Sequence, residues 1–153
     1  MCGIIGVVRR PDPRPPLERT DLITRVDAAL QLLEADAPLL QRISSTAEAA
    51  TAVDADLRSM PGVRALVGDP DLLTFCRARF DRLAELVAAT EAELDQVADS
   101  AEAEALNAAM IGLKDAAWAL QRDRIRNAAA IAELVGSPFA DGAVPIFFSP
   151  KFN

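Results

Sequence analysis

Histidine and tyrosine are absent from the 153-residue sequence, which contains only two cysteines, six phenylalanines and one tryptophan. Because histidine is missing, the sequence excludes an imidazole-containing zinc site, a Ser-His-Asp triad and a Cys-His dyad. A glycine-rich loop for binding phosphate or a dinucleotide is missing too. We therefore expect no metal ion and no bound cofactor.

Long apolar segments are missing as well. No run approaches the roughly 20 apolar residues that a membrane-spanning helix needs. No positively charged segment precedes the short apolar stretch at the N-terminus, as one would in a signal peptide. We therefore expect a cytoplasmic protein that does not bind membranes and whose two cysteines, Cys2 and Cys76, are reduced thiols.

The sequence also has little concentrated positive charge. Its formal net charge is −7, and acidic and basic residues are interspersed without a basic stripe, which argues against nucleic acid as a partner. Arg122, Arg124 and Arg126 form a basic cluster, which we interpret as the solvated face of a helix.

The residues that are abundant, alanine, leucine, glutamate, aspartate and arginine, favour long helices. The clearest pattern is a seam with alternating spacings of three and four residues, typical of coiled-coil packing. A second stripe follows a predicted turn near residue 99. The segment between residues 39 and 60 has a weaker apolar face, in which alanine dominates. The seam contains Leu73, Cys76, Phe80, Leu83, Val87, Thr90, Leu94 and Val97, and the second stripe contains Leu106, Met110, Leu113, Ala117, Leu120, Asn127, Ile131 and Leu134, widened by Trp118 and Ile125.

These patterns predict a mainly α protein with a short N-terminal β-strand. We expect the strand at residues 1–8, where β-branched residues dominate, and a proline-rich linker at residues 9–16. A helical domain at residues 17–136 would be a bundle built on a long antiparallel, coiled-coil-like hairpin of residues 70–98 and 101–135. Residues 137–153 would form an extended tail.

The two cysteines have different expected roles. Cys76 lies in the predicted seam, so we interpret it as a buried, inert thiol. Cys2 follows Met1, which is normally removed when the second residue is small. Cys2 would then carry a thiol and a free α-amine, whose usual pKa of about 7.7–8.0 lets it act as a base near neutral pH. Nucleophile and base would lie in one residue, without histidine.

The first eight residues, Met-Cys-Gly-Ile-Ile-Gly-Val-Val, resemble the start of class II glutamine amidotransferases, which are N-terminal-nucleophile (Ntn) hydrolases. The form Cys-Gly-Ile-Ile-Gly is most similar to glutamine–fructose-6-phosphate aminotransferases, transferases of amino sugar biosynthesis. The resemblance implies that Cys2 attacks the side-chain amide of glutamine, the small-molecule substrate of the full-length protein, and releases ammonia.

The resemblance covers about eight residues. The family's Arg-Gly segment for the glutamine carboxylate, its Asn-Gly oxyanion segment and its sheets are not found after them. We therefore expect an N-terminal fragment of such a protein with a helical insertion, inactive by itself because it lacks an oxyanion hole. The alternative is a non-catalytic helical interaction module that uses the heptad seam to self-associate as a homo-oligomer or to bind a partner.

Overall fold

The computed structural model describes residues 13–96 and 100–135 of the chain, which form six α-helices and one π-helical segment. In chain order they are α1 (Arg19–Glu34), α2 (Leu39–Arg58), α3 (Met60–Gly68), α4 (Pro70–Leu94), α5 (Ser100–Trp118), the π segment (Ala119–Ile125) and α6 (Arg126–Val135).

Short polar residues set the starts of α3 and α4. The hydroxyl of Ser59 accepts a hydrogen bond from the Gly62 amide at 3.2 Å, and Asp69 Oδ1 accepts one from the Leu72 amide at 2.9 Å. Such N-caps satisfy helix donors that have no intrahelical partner. The hydrogen bond from Leu72, followed by the one from Arg19, lowers the pKa of Asp69 below its usual value. Asp69 thus stays ionised where α1 and α4 begin.

Side-chain pairs between the long helices show their relative directions. Three ion pairs join α1 to α4 in the same chain order, so these helices run parallel. Two contacts join α4 to α5 and the π segment in opposite order, so this pair is antiparallel. The pairs are Arg19–Asp69, Asp27–Arg79 and Glu34–Arg82 for the first set, and Glu91–Lys114 and Asp81–Gln121 for the second.

The long helices form a four-helix bundle around one core. α2 packs along both α1 and α5, α4 packs against α1 and α5, and α3 crosses between the end of α2 and the start of α4. The core contains leucines from every long helix, including Leu22, Leu57, Leu83 and Leu106, each nearly inaccessible to solvent. Burial of such side chains is the main stabilising contribution to a bundle of this kind.

The predicted helical character is confirmed, but the predicted fold class is wrong. Residues 13–96 and 100–135 contain no strand, and the bundle is not built on one hairpin. α5 packs more extensively against α2 than against α4. The buried face of α2 includes two small side chains, Thr46 and Ala50, both at 0% exposure. Small side chains let two helices approach closely, so a face that looks weak by hydrophobicity makes the larger interface.

Some of the other predicted segments fall within the residues that the structure describes, and some do not. The predicted strand at residues 1–8, most of the linker, the turn near residue 99 and the tail at 137–153 lie outside the described residues. The seam of α4 is buried from Leu73 to Leu94; Val97 lies outside. None of the helices described is long and apolar enough to cross a membrane.

Candidate functional site

Of the two cysteines, the structure describes Cys76. It is a free thiol with 0% exposure near the start of the α4 seam. Burial raises the pKa of this thiol to about 12. Because the thiolate is the nucleophile and metal ligand, Cys76 is inert near neutral pH, in agreement with its interpretation from sequence. The predicted catalytic residue, Cys2, lies outside the described residues.

The π segment changes which side chains of the last helical arm face the core. A π turn adds a residue, so the inward positions shift along the chain. After Leu120 the next buried side chains are Ile125 and Ala128. Asn127 and Leu134, predicted to lie in the buried stripe, are exposed. Their placement was wrong because a regular spacing of three and four residues does not continue through the π segment.

Arg124, within the π segment, contacts a buried carboxylate on α2. Arg124 Nε donates a hydrogen bond to Asp54 Oδ1 at 2.6 Å, and Arg58 donates to Asp54 Oδ2 at 2.7 Å. The Asp54 side chain is 6% exposed, that of Arg124 is 18% exposed and that of Arg58 is 67% exposed. Arg124 therefore belongs to a largely buried ion pair, and its interpretation as part of a solvated face was wrong.

The other two arginines of the cluster line a cleft between α4 and the last helical arm. Arg122 and Arg126 form one wall, and Arg77 and Asp81 of α4 form the other. Ile125, which is buried, and Ala129 supply the apolar lining. The cavity volume is about 340 Å³. We call this the arginine cleft, and its lining residues are Arg77, Asp81, Gln121, Arg122, Ile125, Arg126 and Ala129.

The charges of the arginine cleft are unbalanced. Within the part of the chain that the structure describes, Arg77, Arg122 and Arg126 take part in no hydrogen bond or ion pair. Asp81 accepts a hydrogen bond from Gln121 Nε2 at 2.6 Å. Sequence reasoning found Arg122 and Arg126 but missed Arg77, because only the packing of α4 brings it to the same cleft. The arginines of the last helical arm do not indicate which residues of α4 lie opposite them.

A second surface feature is an exposed stripe on α5. It consists of Ile111, Lys114, Asp115 and Trp118, which are spaced so that they share one helix face. Ile111 is 62% exposed and Trp118 57% exposed, although Trp118 was predicted to widen the buried stripe. Lys114 Nζ donates to Glu91 Oε1 at 2.7 Å. We call these four residues the α5 stripe.

Among the described residues, no group of histidine, cysteine, aspartate or glutamate side chains could hold a metal ion. Comparison with known proteins finds no matching family model, no matching curated protein and no matching solved structure.

Proposed function

We propose that this chain is the N-terminal part of a glutamine amidotransferase of the glutamine–fructose-6-phosphate aminotransferase type. After Met1 is removed, the thiol of Cys2 attacks the side-chain carbonyl of glutamine. Ammonia leaves, and water hydrolyses the glutamyl thioester to glutamate. The α-amine of Cys2 acts as the base that accepts the thiol proton.

The observation that carries this proposal is the start of the sequence, Met1-Cys2-Gly3-Ile4-Ile5-Gly6. The only other thiol, Cys76, is fully buried and protonated near neutral pH, so the bundle offers no competing cysteine nucleophile. In this proposal the bundle is a helical insertion, and the oxyanion donors lie in another part of the whole protein.

The proposal predicts where glutaminase activity resides. The polypeptide translated from the whole gene should release ammonia from glutamine, and Cys2→Ala should abolish the release. The 153-residue chain should be inactive, because a nucleophile without oxyanion donors loses a factor of about 10²–10³ or more in rate. Ammonia release is measured for all three proteins, with Cys76→Ala as the matched control.

Two outcomes would contradict the proposal. The first is undiminished ammonia release by the Cys2→Ala variant. The second is the absence of any translated product longer than 153 residues together with an inactive chain.

The second candidate function is that of a helical interaction module, and the α5 stripe favours it. The heptad seam is buried in the chain's own core from Leu73 to Leu94, so self-association would use another surface. If two α5 helices pair antiparallel about a two-fold axis between residues 114 and 115, Ile111 meets Trp118 of the other copy. Lys114 then meets Asp115, so the stripe is complementary to itself in charge.

This candidate predicts a dimer that depends on the α5 stripe. Trp118→Ala should weaken the dimer by about tenfold or more, because a buried tryptophan is a typical interface hot spot. Asp115→Lys should weaken it by like-charge repulsion, and the swapped variant Lys114→Asp with Asp115→Lys should restore it. Sedimentation equilibrium measures the dissociation constant, with Leu32→Ala on α1 as control. A chain that is monomeric at every concentration, or a dimer indifferent to Trp118→Ala, would rule this candidate out.

A further inference from the structure

We infer that the arginine cleft is a binding site for a phosphate dianion, either free phosphate or the phosphate group of a small phosphomonoester. This inference does not depend on Cys2 or on glutamine chemistry. It rests on the cavity between α4 and the last helical arm, and on the arginines that line both of its walls.

The charge of the cleft matches a dianion. Three arginines, Arg77, Arg122 and Arg126, and one carboxylate residue, Asp81, line the cleft. Gln121 Nε2 donates a hydrogen bond to the carboxylate of Asp81. The lining residues therefore carry three positive charges and one negative charge, a net charge of +2 that a phosphate dianion would balance.

The chemistry of the lining also fits phosphate. Guanidinium groups present paired N–H donors that match two phosphate oxygens at once. The buried Ile125 lines one side of the cleft with apolar atoms. The cavity volume of about 340 Å³ leaves room for a small organic group beside a phosphate.

The setting of the cleft distinguishes it from a general basic surface. The whole chain has a formal charge of −7, so three unpaired arginines around one cavity are a local exception. A nucleic-acid backbone needs a row of positive charges along its path, and the cleft is a single pocket. In addition, Arg122 lies within the π segment and Arg126 directly follows it. Such π segments are frequent at functional sites.

The test is titration of the 153-residue chain at constant ionic strength with inorganic phosphate, glycerol 3-phosphate and acetate, followed by calorimetry. We expect saturable binding of at least one phosphate compound and weaker binding of acetate. Arg122→Gln and Arg126→Gln should each weaken phosphate binding by about tenfold or more. Arg77→Gln should do the same from the opposite wall. Binding should also weaken below about pH 6, where a phosphomonoester dianion takes up a proton.

The matched control is Arg82→Gln, which removes one positive charge from α4 outside the cleft. Because the three cleft arginines are exposed, their variants should keep the far-ultraviolet circular dichroism of the wild type. Tighter binding of glycerol 3-phosphate identifies a phosphomonoester as the ligand, and tighter binding of inorganic phosphate identifies the free ion. The inference is overturned if neither compound saturates, or if Arg82→Gln weakens binding as much as Arg122→Gln does.

Discussion

Replacing Arg124 by alanine is expected to destabilise the bundle by roughly 1.5–3 kcal/mol, the cost of removing a hydrogen bond to a buried charged group. Asp54 is 4% exposed, and Arg124 is the less exposed of its two arginine partners. When Arg124 is removed, the carboxylate of Asp54 keeps only the exposed Arg58, while the Oδ1 atom loses its hydrogen bond. Urea denaturation of the wild type and the variant measures this difference in the free energy of unfolding.

Two control variants make this test specific. Arg58→Ala should cost less than about 1 kcal/mol, because that side chain is 67% exposed. The double variant Asp54→Leu with Arg124→Met should recover most of the lost stability, since apolar residues of similar volume replace a buried ion pair with little cost. Equal effects of Arg58→Ala and Arg124→Ala would show that the Asp54–Arg124 pair is not the critical contact.

Gly62→Ala is expected to destabilise the protein by about 3 kcal/mol or more. A Cβ atom at residue 62 would lie 2.2 Å from the carbonyl oxygen of Asp56 and 2.6 Å from Cα of Leu57. Both are backbone atoms, so the steric overlap can be relieved only if α3 moves away from the end of α2. Overpacking in a core typically costs about 1–3 kcal/mol, and an overlap with backbone lies at the upper end or beyond. Thermal and urea denaturation measure the loss.

The matched control for Gly62 is Gly112→Ala. Gly112 lies within α5, is exposed, and has no atom within 4 Å of a new Cβ. Alanine there should stabilise the protein by about 0.5–1 kcal/mol through its higher helix propensity. If Gly62→Ala were as stable as the wild type, this result would contradict the close packing of α3 on the end of α2.

The sequence predicted the helical segments well, because their signals are local. Pro61 and Gly62 mark the change from α2 to α3, and the segment Gly68-Asp69-Pro70 marks the change to α4. The pairing of helices was less predictable. The seam of α4 suggested that α5 would be its main partner, whereas the small side chains on α2 make the larger contact with α5.

Little of the arginine cleft could be predicted from the sequence. The sequence groups Arg122, Arg124 and Arg126 as one basic cluster, although residues two apart in a helix do not share a face. In the structure Arg124 pairs with Asp54 while the other two line the cleft. A π turn has no clear sequence signal because it depends on tertiary packing. Arg77 lies 45 positions before Arg122 in the sequence, so no local pattern connects them.

The proposed role of Cys2 is tested most directly by the chemical state of residue 2 in the purified chain. Intact mass shows whether Met1 has been removed, and an aldehyde probe forms a stable thiazolidine only with an N-terminal cysteine, which supplies both the amine and the thiol of the ring. We expect a mass lower by one methionine and one probe molecule per chain. Cys2→Ala should not react. Cys76 should stay unmodified by iodoacetamide at pH 8, because its thiol pKa is about 12. Retention of Met1 would contradict the proposal, since Cys2 would then have no free α-amine.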